Sequence, residues 1–264
     1  ASLQPLVWVH GGPTTMYSYD YNPLLNWVAG LGYLVCVPNF RGSVGFGVDF
    51  MDAVLADGCG FVDQSDCIAC AQYLRSLAST EPCLDLGRGV GVAGHSWGGY
   101  LSLMCMVHGG GACLDTDKEA PFSCGVASAS ISDFAVQQRN TEVRYFDYAL
   151  MGGWVYEPSV AARALRASPV TYAANLKGPL LVLHGEKDKD VPFEQIDAFV
   201  VAAKRSAHSS SSVTYVSYPG EGHSMAGWAS SAQKEALKKI RDFLRVNLKP
   251  WDFTDNPHGD LTTY

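Results

Sequence analysis

The chain has 264 residues, 47% of them hydrophobic and 17% charged, with a formal net charge of −7. That length suits one large α/β domain or two small ones, with enough apolar material for a sizeable core. An acidic surface gains nothing from phosphate backbones or anionic lipid, so nucleic acid and membrane are excluded as partners, and no apolar stretch is as long as a membrane span.

In chain order, Leu3 to Val9 reads as a buried strand, Tyr21 to Leu31 as helical, and Tyr33 to Pro38 as a second strand. Asn39-Phe40-Arg41-Gly42-Ser43-Val44-Gly45-Phe46-Gly47 is a glycine-rich loop. A helix is expected over Asp63 to Leu77, a strand over Gly89 to Ala93, and an apolar helix through Leu101 to Val107. A polar loop from Gly109 to Pro121 precedes a strand around Gly125 to Ala129, and an aromatic-bearing segment from Phe134 to Tyr172 then breaks the alternation. Leu180 to His184 is a strand, Glu194 to Arg205 a helix, Val213 to Tyr218 the last strand and Ser230 to Val246 a closing amphipathic helix. Ser209 to Ser212 is a polar loop tip, and the tail from Lys249 is polar and weakly ordered. Strands alternating with helices make an α/β chain with a mostly parallel sheet covered on both faces. The expected organisation is one domain over 1–248 and a tail over 249–264.

Eight cysteines lie at 36, 59, 67, 70, 83, 105, 113 and 124. Cys36 and Cys105 fall inside apolar runs and read as small buried hydrophobes. Cys67-Ile-Ala-Cys70 has C-x-x-C spacing, but it sits within a helix and has no second pair at zinc-ribbon distance, so it reads as a packed face. Scattered, unpaired cysteines favour a reducing compartment, hence the cytoplasm.

Gly94-His95-Ser96-Trp97-Gly98-Gly99-Tyr100 stands between a β-branched run and a longer apolar run. In that context G-x-S-x-G is a nucleophile elbow, a strand-to-helix turn that thrusts the serine hydroxyl out beside the first free N–H groups of a helix. A serine hydroxyl is a weak nucleophile at neutral pH, so it needs a base and an oxyanion site. Of the seven histidines, His223 follows the last strand in a loop, at the end of the sheet where open α/β folds meet ligands. His184 is expected to pack on the sheet, His95 to point away from Ser96, and His108, His208 and His258 to be solvated. The chain order Ser, acid, His puts the orienting carboxylate in the loop after Leu180 to His184, where Glu186, Asp188 and Asp190 all qualify. Spacing does not rank them. The backbone N–H of Trp97 is one candidate oxyanion donor, and His10-Gly11-Gly12-Pro13 after the first strand offers the other.

Together these segments resemble the catalytic domain of the prolyl oligopeptidase family of serine peptidases, over nearly the whole chain. The resemblance rests on Val9 to Pro13, Asn39 to Ser43 with Gly45-Phe46-Gly47, Gly94 to Tyr100, His184 to Pro192 and Tyr218 to His223. It implies an α/β-hydrolase fold and a triad of Ser96, Asp188 and His223, since the family's aspartate stands four residues after the histidine of H-G-x-x-D. Gly12 and Trp97 then supply the oxyanion donors, with Gly11 as the fallback. Trp97, Tyr145 and Trp154 are expected to wall the substrate pocket, core packing being the equal alternative. His10 in place of tyrosine leans towards the acylaminoacyl-peptidase branch, within a group that includes dipeptidyl peptidases. No metal or organic cofactor is implied. The family's hydrolase domain is normally preceded by a β-propeller and begins with further strands. The resemblance therefore implies a longer parent chain that carries both; oligomeric state, a homo-oligomer included, stays open.

The function expected is hydrolysis of short or N-acylated peptides through an acyl-enzyme. The same machinery cleaves esters and thioesters, so a carboxylesterase or thioesterase is the alternative, and a non-catalytic binding module is the third reading.

Overall fold

The computed structural model describes residues 2–108, 120–205 and 213–249. Residues 109–119 of the expected polar loop, the serine tip at 209–212, Cys113, His208, His258 and the tail beyond Lys249 lie outside these, as does the side chain of His108.

Among the described residues, six parallel strands form one sheet: β1 (Gln4–Val9), β2 (Tyr33–Cys36), β3 (Gly91–His95), β4 (Cys124–Ser128), β5 (Leu180–Gly185) and β6 (Val213–Tyr218), in the order β2-β1-β3-β4-β5-β6. Between them run α1 (Pro23–Gly30), α2 (Val48–Asp52), α3 (Val62–Leu77), α4 (Trp97–His108), α5 (Phe134–Asn140), α6 (Arg144–Met151), α7 (Pro158–Ala167), α8 (Glu194–Arg205) and, at the end, α9 (Ser230–Leu248).

Alternation along the strands explains why β1 reads as continuously apolar. Leu6 and Trp8 point into one core with α1 and α9, through Val28, Ile240 and Leu244; Val7 and Val9 point into the other with α3, α4 and α8, through Leu74, Leu101 and Phe199. Both faces of the sheet are therefore dry. Among the described residues, no helix is long and apolar enough to cross a membrane.

The aromatic segment folds as α5, α6, α7 and a 3₁₀ stretch over Pro169–Asn175, an excursion between β4 and β5. Asp133 caps α5, its carboxylate accepting from the N–H groups of Ala135 and Val136, which fixes where the chain leaves the sheet. The seven cysteines within the described residues are free thiols.

Candidate active site

Ser96 is the single residue between β3 and α4, with its backbone in the left-handed region at φ 58°. Such a conformation costs on the order of 1–3 kcal/mol in a non-glycine residue and persists only where neighbours impose it. Here they do. A Cβ on Gly94 would lie 2.3 Å from the carbonyl carbon of Gly98, and a Cβ on Gly98 would lie 2.1 Å from the carbonyl oxygen of Val9. The first turn of α4 thus crosses β1 and β3 at backbone contact, and the serine N–H donates to Ser128 O at 2.8 Å.

The loops after β5 and β6 meet beside this turn. A Cβ on Gly185 would lie 2.5 Å from the carbonyl oxygens of both Glu221 and Gly222, and Lys187 N–H donates to Glu221 O at 2.8 Å. This contact brings His223 over Asp188. The Nδ1–H of His223 donates to Asp188 Oδ2 at 2.7 Å, and Nε2 lies 2.9 Å from Ser96 Oγ, placed to accept its proton. Of the three acids that spacing leaves open, Asp188 is the one bonded to His223; Glu186 accepts instead from Ser217 Oγ. Burial raises the cost of charge on Asp188, yet hydrogen bonds from His184, His223 and the Val191 N–H outweigh it and hold the carboxyl at about 2.

The loop after β1 runs against the serine. A Cβ on Gly11 would sit 3.4 Å from Ser96 Cβ, and Gly12 has φ 125°. His10 braces this loop: Nδ1 donates to Gly11 O at 2.6 Å, so Nε2 accepts from Ser43 Oγ at 2.9 Å, and the ring stacks on Phe40 at 4.3 Å. Burial lowers the His10 pKa, consistent with that neutral tautomer. Arg41 ties the glycine-rich loop to α3 through Asp66 at 2.8 Å and the Val62 carbonyl at 3.0 Å.

The prolyl oligopeptidase family model matches residues 19–250. The chain belongs to this family. Dipeptidyl aminopeptidase BIII of Pseudoxanthomonas mexicana is 31% identical over 238 residues, covering 89% of this chain and 32% of that protein. The acylamino-acid-releasing enzyme of Sus scrofa is 30% identical over 195 residues, 72% of this chain and 25% of that one. The acylaminoacyl peptidase of Pyrococcus horikoshii superposes with a TM-score of 0.80 at 24% identity, over 95% of this chain and 38% of its own, a likeness of fold. The chain thus spans about a third or less of the length of these two relatives. The architecture is the α/β-hydrolase fold.

In this prolyl oligopeptidase family chain, Trp97 follows the core-packing alternative, Tyr145 neither packs in the core nor lines the cavity against Pro13, and His95 departs from expectation. The indole of Trp97 is not a pocket wall. It is 1% exposed, packs edge-on to Tyr100 at 4.9 Å, and donates from Nε1 to Asp63 Oδ2, because the first turn of α4 faces the core on the side of α3. Tyr145 is 75% exposed and, with Tyr148, flanks Trp154 on one side of α6. The face of α6 that does line a cavity, of about 60 Å³, carries Phe146, Ala149 and Leu150, opposite Pro13 and Val54. His95, expected to point away, lies against the ring of His223 at 5.0 Å and bonds Ser128 Oγ at 3.2 Å. Burial, then the neighbouring His223, pushes its pKa down to about 4.

His184 is buried as expected, but it also does more. Its Nε2 donates to Val191 O at 2.8 Å and stands 3.3 Å from Asp188 Oδ2, so Asp188 has a histidine on either side. The i,i+4 spacing of His184 and Asp188 was the available signal, hidden because the two residues straddle the end of a strand.

Proposed function

We propose that this chain is the catalytic part of a serine peptidase that cleaves N-acylated or dipeptidyl units from short peptides through an acyl-enzyme. The observation that carries the reading is the unbroken chain from Ser96 Oγ to His223 Nε2 at 2.9 Å and from His223 Nδ1 to Asp188 at 2.7 Å. In this mechanism Ser96 Oγ attacks the scissile carbonyl while Nε2 of His223 takes its proton. Asp188 holds the Nδ1–H tautomer and stabilises the imidazolium. The N–H groups of Gly12 and Trp97 hold the oxyanion, Gly11 lying close enough to serve in place of Gly12. His223 then protonates the leaving amine, and a water attacking the ester at Ser96 releases the acid by the reverse transfers.

Peptide as substrate is supported by the names of the relatives, a dipeptidyl aminopeptidase and an acylamino-acid-releasing enzyme. We assign the substrate's apolar side chain to the cavity of Phe146, Ala149 and Leu150 beside the oxyanion loop, with Tyr145 and Trp154 as an outer aromatic edge. The reading makes the chain the hydrolase part of a longer protein in which a β-propeller is the companion domain.

The test offers the protein an N-acetylaminoacyl p-nitroanilide, a dipeptidyl p-nitroanilide and p-nitrophenyl butyrate in parallel. Turnover of an anilide, lost in Ser96→Ala, is the expected result. Turnover of the ester alone makes the chain an esterase.

A further inference from the structure

Asp63 lies in the first turn of α3 with no exposed surface, and nothing in the mechanism above uses it. Its Oδ2 accepts from Trp97 Nε1 at 3.1 Å and its Oδ1 from the N–H of Gln64 at 2.9 Å. The chain before it is shaped to reach this place. A Cβ on Gly58 would sit 1.9 Å from Ala53 O, and one on Gly60, where φ is 75°, would sit 2.1 Å from Tyr100 Oη. Gly58 thus lets the chain fold back on Ala53, and Gly60 lets it pass against Tyr100 in the first turn of α4.

A carboxylate in that position is expensive. Burial pushes Asp63 up to about 7 against the hydrogen bonds from Gln64 and Trp97, and an apolar side chain of similar volume would cost less. What a carboxylate adds is direction. Tyr100 and Phe134 grip the indole by shape alone, at 4.9 and 6.1 Å between ring centres, whereas the bond to Asp63 fixes which way it points.

We propose that Asp63 is a positioning residue for acyl transfer: it holds the Trp97 indole, and through it the backbone N–H that follows Ser96, in line with the developing oxyanion. The inference rests on the reading of Ser96 as the nucleophile. Asp63 touches no substrate. Its effect belongs to the transition state, because the oxyanion forms only there, so it falls on kcat and not on KM. The opposite sign is physically available. A negative charge beneath the oxyanion would oppose it, and if that repulsion outweighed alignment, removing the charge would speed the reaction.

The experiment compares Asp63→Asn, Trp97→Phe and the double variant in the full protein, with an N-acetylaminoacyl p-nitroanilide as substrate. Each rate is divided by the number of sites titrated with a fluorophosphonate, which removes losses due to misfolding. Complete loss of one oxyanion donor costs about 10²–10³ in rate. Misalignment of one is expected to lower kcat per titrated site about tenfold, with KM within about twofold. The double variant should be no slower than the slower single, since both remove one bond. A kcat per site that is unchanged or raised, a loss confined to KM, or losses that multiply in the double variant overturns the proposal. Trp97→Phe leaves an aromatic ring against Tyr100 and Phe134 and removes the N–H donor; counting only titrated sites keeps its smaller volume from being read as lost catalysis, so it carries the test should Asp63→Asn fail to fold. A wild-type protein that neither labels nor turns over would instead overturn the reading of Ser96, and this inference with it.

Discussion

At the scale of single residues, the decisive feature of the site is how Asp188 is kept charged. Its oxygens receive His223, His184 and two backbone N–H groups, those of Asp190 and Val191. Asp188→Asn keeps the size and loses the tautomer control, so kcat is expected to fall on the order of 10⁴-fold with the fold intact. The same depressed pKa links to stability. The unfolded carboxyl takes up a proton near pH 4 and the folded one near 2, so the contribution of Asp188 is complete above pH 4 and is lost as pH falls towards 2. Ser96 and His223 were legible because each sits in a local pattern, a glycine-flanked turn and a strand-end loop. Asp188 was not separable from Glu186 and Asp190 by spacing, since all three share one polar loop. The indole of Trp97, the ring of His95 and the second bond of His184 were illegible: which way a ring turns is decided by packing between distant elements.

At the scale of elements, the elbow is a close contact of backbones before it is a chemical device. Gly98→Ala would drive a methyl into the Val9 carbonyl of β1, and a loss of roughly 2–4 kcal/mol, or failure to fold, is expected in chemical denaturation. Gly47→Ala is the contrasting case for space, since a Cβ there meets nothing within 4 Å, although its φ of 95° carries backbone strain. The long strands and helices were readable from their apolar periods, with small shifts at their ends. The elbow strand runs Gly91–His95 where Gly89 to Ala93 was expected, because its register is set by pairing with β1 on one side and β4 on the other. The short α2 and the turn at Ala56–Gly58 carry too few residues to show a period, and they went unseen.

At the scale of the whole molecule, two buried acids give stability an unusual pH dependence. Burial raises both Asp63 and Asp147 to about 7. The folded state then holds protons that the unfolded chain releases near pH 4, so their contribution to stability falls as pH rises from about 4 to about 7. Asp147 has an oxygen with no hydrogen-bond partner. Asp147→Asn is therefore expected to stabilise the protein by roughly 1–3 kcal/mol at pH 8 and by much less at pH 5, read as the difference in melting temperature between the two. The parallel sheet and its two dry faces were visible in the alternation of elements. The excursion of α5, α6 and α7 was visible only as a break in it, since no local signal says on which side of a sheet an insertion will lie. The central claim, that Ser96 is made nucleophilic by His223, is tested most directly by fluorophosphonate labelling followed by peptide mass spectrometry. The expected result is a single adduct on the peptide containing Ser96, formed at least about a hundredfold more slowly in His223→Ala, the order of magnitude for losing one general base. An adduct on another residue, or labelling of Ser96 at an unchanged rate without His223, would contradict it.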